Sequence, residues 1–144
     1  MFKWFYKKRK DVEQFELDFS SLKVDIHSHL IPSIDDGSPD IETTIELLKK
    51  MQDLGFTKVI TTPHVMSDFY KNSSETILDG LDNVRAILKE KNINIEIDAA
   101  AEYYLDYDFQ SNIGKQKFLT FGDNYILVEL SFFEPLKQLY EIIF

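Results

Sequence analysis

His27 and His29 stand two residues apart in Val24-Asp25-Ile26-His27-Ser28-His29, a short alternating stretch with two of the chain's three histidines. On extended backbone alternate side chains share a face, so Asp25, His27 and His29 converge on one side. Two imidazoles on one face at the end of a strand could hold a divalent metal ion. They could equally be solvated or hydrogen-bonded histidines. There is no Cys, so disulfides, thiolate ligation and a cysteine nucleophile are excluded, and any metal must be held by His and carboxylates.

The elements that must position these residues follow from the apolar rhythm. A first strand is expected at about 23–28. Ser38 and Pro39 suit the N-cap and first position of a helix whose stripe is Ile41, Ile45, Leu48, Met51 and Leu54, ended by Gly55. A β-branched second strand over 57–62 stops at Pro63. Ser73 or Ser74 opens a second helix with the stripe Ile77, Leu81, Val84 and Leu88, ending near Asn92. Ile93, Ile95 and Ile97 alternate into a third strand that runs to Ala99-Ala100-Ala101. An aromatic, partly helical stretch follows, then a turn at Gly122-Asp123-Asn124. A fourth strand over 125–131 reads as buried on both faces, and a last helix is expected after Pro135. Four strand–helix units in series predict an α/β fold with parallel strands, closed into a barrel or left as an open sheet.

The remaining candidate ligands fall in phase with this rhythm. His64 follows the second strand in Thr61-Thr62-Pro63-His64, Glu102 follows the third, and Glu129 lies late in the fourth within Leu127-Val128-Glu129-Leu130. Their spacing is close to one strand–helix–strand step of about 30 residues or more. Active sites of parallel α/β folds lie at the carboxyl ends of the strands. A charged Glu129 in an apolar strand is costly unless it is paired or bound to a metal. Singly, His64 could cap a helix, Glu102 could be a surface acid and Glu129 could pair with a lysine. The phase of all five is the signal. Asp35 and Asp36 lie in the first strand-to-helix loop on the same rim. They read either as an outer ligand and a supporting group or as an ordinary Asp-Asp-Gly turn. Tyr103, Tyr104 and Tyr107 could wall a substrate's ring or simply pack.

With 144 residues and 44% hydrophobic content, the chain can build one domain with a core. Its net charge is −9. Lys3, Lys7, Lys8, Arg9 and Lys10 leave 11 basic against 25 acidic residues in the rest, a net −14. So acidic a body is a poor nucleic-acid binder, and it repels an anionic substrate unless bound cations reverse the local field. Residues 1–22 read as a basic, aromatic leader, a loosely packed tail or a membrane- or partner-touching segment, ahead of a domain at 23–144. No apolar run is long enough for a membrane span and no signal-peptide core follows the basic start, so the cytoplasm is the expected location.

Asp25-Ile26-His27-Ser28-His29-Leu30-Ile31-Pro32, Asp35-Asp36-Gly37, Thr62-Pro63-His64, Ala101-Glu102-Tyr103 and Leu127-Val128-Glu129-Leu130 together resemble the bacterial PHP-domain tyrosine phosphatases of capsular and exopolysaccharide operons. The resemblance runs from about residue 20 to the end, with Ser33 where the family usually has Gly. It implies the first part, about four βα units, of a distorted (β/α)7 barrel. It also implies a cluster of Mn, Fe or Zn ions on His27, His29, His64, Glu102 and Glu129, with Glu102 bridging. The implied reaction is hydrolysis of phosphotyrosine on a tyrosine kinase that controls polysaccharide export. A metal-bound water with its pKa lowered toward about 7 would serve as nucleophile, and the ions would clamp the phosphoryl oxygens.

The family pattern continues with a His-Pro-Glu-Arg-type motif and an Asp-x-His pair, whereas no His follows His64 and no Asp follows Asp123. A barrel of this kind typically needs about 250 residues. The expectation from sequence is therefore a C-terminally truncated member with impaired activity, and with open barrel edges that favour self-association. Two alternatives remain: another metal hydrolase of amidohydrolase type, or a non-catalytic fragment.

Overall fold

A computed structural model describes residues 19–131. The fold is α/β and every ladder between its named strands is parallel. The order is β1 (Val24–Asp25), α1 (Ile41–Asp53), β2 (Lys58–Thr61), β3 (His64–Val65), α2 (Ser74–Glu90), β4 (Glu96–Ala99), β5 (Glu102–Tyr104), α3 (Tyr107–Asn112) and β6 (Leu127–Glu129). The strands form two three-stranded sheets, β1-β2-β4 and β3-β5-β6.

The sheets divide just beyond the second and third predicted strands, where each is followed by a further short strand. Pro63 has no N–H to donate, so the ladder opens after Thr61 and resumes at His64. The register does not slip: Thr61 faces Ala99 and His64 faces Glu102. Across the gap the Ala100 N–H donates to Thr61 O (2.9 Å) and the Glu102 N–H to Pro63 O (3.0 Å). The break thus turns the strand ends without losing alignment. The stretch after Ala101, read as irregular and aromatic, supplies β5 before its expected helical part, α3.

Both long helices bury the predicted stripes. Ile45 and Leu48 of α1, and Ile77, Leu81, Val84 and Leu88 of α2, are buried. Most pack with Val59 and Ile97 of the first sheet and with Ile95 just before β4. The start of α1 differs from expectation. Asp40, not Ser38, is the N-cap, and its side chain accepts from the Thr43 N–H at 2.7 Å. Ser38 is buried and donates to Asp40 O, while Thr44 donates to Ser38 Oγ. A carboxylate two residues closer to the helix is the cap because the Ser38 hydroxyl is consumed tying the loop to it. Gly55 ends α1 with φ +99°, as expected, and residues 19–22 pack there: the Phe19 N–H donates to Leu54 O and its ring meets Phe56. Residues 1–18 of the leader and the helix expected after Pro135 lie outside the described residues.

The fourth strand is not buried on both faces. Leu127 and Glu129 of β6 point inward, whereas Ile126, Val128 and Leu130 are exposed. Among the described residues β6 pairs only with β5 and no helix covers its outer face. β1 likewise pairs only with β2. The apolar run predicts an enclosed strand, but enclosure needs a layer that local sequence does not specify.

At the outer edge of β4, Arg85 of α2 donates its Nε to Ile97 O (2.9 Å) and pairs with Asp98. Lys58 pairs with Asp98 (2.5 Å) and Glu96 (2.6 Å). The Lys58 ammonium, with Arg85, holds the Asp98 carboxyl below the usual carboxylate range. A depressed folded pKa stabilises above the unfolded value and is lost as pH falls through the folded one. Asp98→Asn is thus expected to cost within about 1 kcal/mol at pH 7, the pair being part-exposed. The cost should vanish below both pKa values, as checked by urea denaturation at several pH values.

Candidate metal centre

Only Val24–Asp25 of the first segment enters a ladder, yet the histidines beyond it are held. Thr61 and Thr62 replace the missing ladder. The Thr62 N–H donates to Ser28 O (2.6 Å), Thr61 Oγ1 donates to Ser28 O (2.9 Å), and the Leu30 N–H donates to Thr61 Oγ1 (2.8 Å). Leu30 and Ile31, directly after His29, are buried in the core, which stabilises by about 1.5–3 kcal/mol each. The histidine segment is clamped from both ends.

His27, His29, His64, Glu102 and Glu129 converge on one face. Glu102 is central: its Oε2 lies 3.2 Å from His29 Nε2, 3.4 Å from His64 Nδ1 and 4.0 Å from His27 Nε2. It is 8% exposed. Glu129 Oε2 lies 3.5 Å from His64 Nδ1. Glu129 reaches this face because β6 is staggered on β5, with Tyr104 opposite Glu129 and Glu102 opposite Leu127. Of the two aspartates, Asp35 supports while Asp36 faces the rings. Asp35 Oδ2 accepts from His29 Nδ1 (2.8 Å) and from the His64 N–H (3.0 Å), and its Oδ1 accepts from the Gly37 N–H. Asp36 Oδ1 stands 3.6 Å from His64 Nε2 and 3.8 Å from His29 Nδ1.

These contacts orient the lone pairs. The His29 proton placed on Nδ1 toward Asp35 leaves Nε2 free toward Glu102, and His27 Nδ1 on Thr62 Oγ1 (2.8 Å) does the same for its Nε2. The Asp35 hydrogen bond raises the His29 pKa against the opposing effect of burial. Burial alone would push the Asp35 carboxyl up, but hydrogen bonds from His29 and from the His64 and Gly37 N–H groups outweigh it and hold it down.

The donor set fits divalent cations. Three trios have ligand atoms within 4.8 Å of one another: His27, His29 and Glu102; His29, Asp36 and His64; and His64, Glu102 and Glu129. Buried His64 Nδ1 has no hydrogen-bond partner although two carboxylates face it. No Lys or Arg pairs with Asp35, Asp36, Glu102 or Glu129 among the described residues. Four acids gathered with no Lys or Arg partner among the described residues, around an orphaned imidazole nitrogen, are the arrangement a cation cluster resolves.

The predicted tyrosine wall separates into unlike parts. Tyr103 alternates away from Glu102. It is 5% exposed, packs on Phe109 and Phe118, and its hydroxyl accepts from the Leu119 N–H. It is a core residue because strand alternation sends it to the face opposite the ligands. Tyr104, two residues from Glu102, shares the ligand face. Tyr107 is 79% exposed on α3. Sequence reading missed Thr62, whose place beside the His pair needs the parallel register, and Tyr70, whose ring stacks on His64 with centroids 5.4 Å apart and a 10° interplanar angle. It also missed Asn72, whose Nδ2 donates to His64 O (2.8 Å) and Ile34 O (3.0 Å). Among the described residues no helix is long and apolar enough to cross a membrane.

Comparison with known proteins gives a consistent result. The family model described as capsular polysaccharide synthesis, CpsB/CapC, matches residues 23–143. The tyrosine-protein phosphatase YwqE of Bacillus subtilis is 28% identical over 110 residues, 76% of this chain and 43% of that protein. The tyrosine-protein phosphatase CpsB of Streptococcus pneumoniae is 29% identical over 118 residues, 81% of this chain and 49% of that protein. The chain thus spans about half the length of the curated relatives it matches. A crystal structure from the work on YwqE and CpsB, described as unique metal-dependent tyrosine phosphatases, superposes with a TM-score of 0.69 at 28% identity, over 76% of this chain and 44% of that one.

Proposed function

The chain belongs to the capsular polysaccharide synthesis CpsB/CapC family, and from that premise we propose that it carries the metal centre of a metal-dependent protein-tyrosine phosphatase. His27, His29, His64, Glu102 and Glu129 are the proposed ligands, with Glu102 shared between ions and Asp36 able to join them. The observation that carries this reading is His64 Nδ1, buried, unbonded and faced by both Glu102 and Glu129. When bound, divalent ions would supply activated water and neutralise charge on the phosphoryl group.

This chain's own groups do the rest. Asp35 and Thr62 hold His29 and His27 in the tautomers that keep Nε2 free, and Tyr104 stands on the ligand face as a candidate wall for the phenyl ring. The acidic body needs the cations to admit an anionic substrate. Manganese is the proposed metal, with iron or zinc as alternatives. A bacterial tyrosine kinase of the polysaccharide export system is the proposed substrate and the cytoplasm the proposed location. The domain proposed is 23–144, built as part of a distorted (β/α)7 barrel.

The test is release of phosphate from a phosphotyrosine peptide by the purified chain before chelation, after it, and after Mn²⁺ is restored. Weak activity, well below that of a full-length relative, is expected, which chelation abolishes and Mn²⁺ restores. A chain that takes up no divalent metal by elemental analysis would overturn the reading.

A further inference from the structure

The loop from Met66 to Asn72 is fastened more firmly than a connection between a strand and a helix requires. Tyr70 O accepts from both the Met66 and Asn72 N–H groups at 2.8 Å. Asn72 Nδ2 then ties the loop to His64 O and to Ile34 O of the first loop. These bonds hold the half-buried Tyr70 ring nearly parallel to the His64 imidazole, within the usual range of offset stacks. No described protein group hydrogen-bonds the phenol. Of the other aromatics near these strands, Tyr103 is locked in the core with its hydroxyl taken, Tyr107 stands exposed on α3, and Tyr104 shares the face of Glu102 but stacks on none of the three histidines.

We propose that Tyr70 is the aryl-recognition residue of this site. One ring face steadies His64, and the ring surface and phenol left open receive the phenyl ring of a phosphotyrosine whose phosphate is held at the proposed metal centre. This rests on the function proposed above and adds the residue that separates aryl from alkyl phosphates. A ring already immobilised by its own loop loses little freedom on binding, so contact with a second ring is retained as affinity. An alkyl phosphate carries no ring for that contact.

The test uses the full chain loaded with Mn²⁺ and two peptides alike except for phosphotyrosine in one and phosphoserine in the other, titrated by calorimetry, with metal content measured on each sample. The wild type is expected to prefer the phosphotyrosine peptide by about 10-fold, the scale of an aromatic pair. Tyr70→Phe should keep most of that preference and Tyr70→Leu should bring it to about 2-fold or less, with metal content unchanged. Equal binding of the two peptides by the wild type, or a preference that survives Tyr70→Leu, would overturn this inference and leave the proposed function standing. Loss of the preference in Tyr104→Leu but not in Tyr70→Leu would assign the wall to Tyr104 and overturn it too. If neither peptide binds in a metal-dependent way, the inference and the function beneath it both fail.

Discussion

Glu102→Gln is expected to strip the proposed centre of most of its metal, lowering affinity by more than about 100-fold, since loss of a mere supporting group already costs 10–100-fold. Glu102 belongs to two of the three ligand trios, and its Oε2 stands within 3.2–4.0 Å of all three histidines. The amide keeps the shape and removes the charge. It also brings N–H groups toward imidazole nitrogens whose lone pairs a cation needs. The buried carboxylate has no Lys or Arg partner among the described residues to lose, so the metal-free fold should survive. Elemental analysis of chelator-treated and reloaded protein, beside circular dichroism, checks both halves. A variant that retains full metal would remove Glu102 from the centre.

Gly37→Ala is expected to destabilise the fold by about 3 kcal/mol, at the upper end of overpacking penalties, and to disable the centre at the same time. A Cβ on Gly37 would lie 2.3 Å from His29 Cβ and 2.4 Å from His29 O, with Asp35 Oδ1 at 3.0 Å. Two of these neighbours are backbone or the root of a side chain, so neither can swing aside. The Ser38 N–H donates to that same His29 O (3.0 Å), and the Gly37 N–H donates to Asp35 Oδ1 (3.0 Å). Relieving the clash therefore moves the turn that holds Asp35 against His29 and the His64 N–H. Urea denaturation of the metal-free protein reads the stability, and metal uptake reads the site. A loss of under about 1 kcal/mol would show that the turn yields more easily than its contacts imply.

Asp-Asp-Gly was legible in the sequence as a turn or as a supporting group, two readings that the structure merges. The turn is tight because Gly37 lacks a Cβ, and its tightness puts Asp35 on two histidine segments at once. The phase of His64, Glu102 and Glu129 with the strands was equally legible, since alternation and strand spacing are local properties of the chain. Less legible was where each strand would end. Pro63 does stop β2, but pairing resumes just beyond it at His64, in register with β5.

The α/β rhythm, the helix stripes and the candidate metal-binding residues are written in residue type and short-range period. Which side chains share a face, and which atoms remain without partners, came from packing alone. Register between strands more than thirty residues apart places Thr62 under His27 and Glu102 against His64. Alternation along β5 sends Tyr103 to the core, and a pinned loop brings Tyr70 onto His64 from outside every predicted element. Long-range pairing and loop closure depend on the whole chain's packing, so no local reading of residues 66–72 could have found the ring that lies on His64.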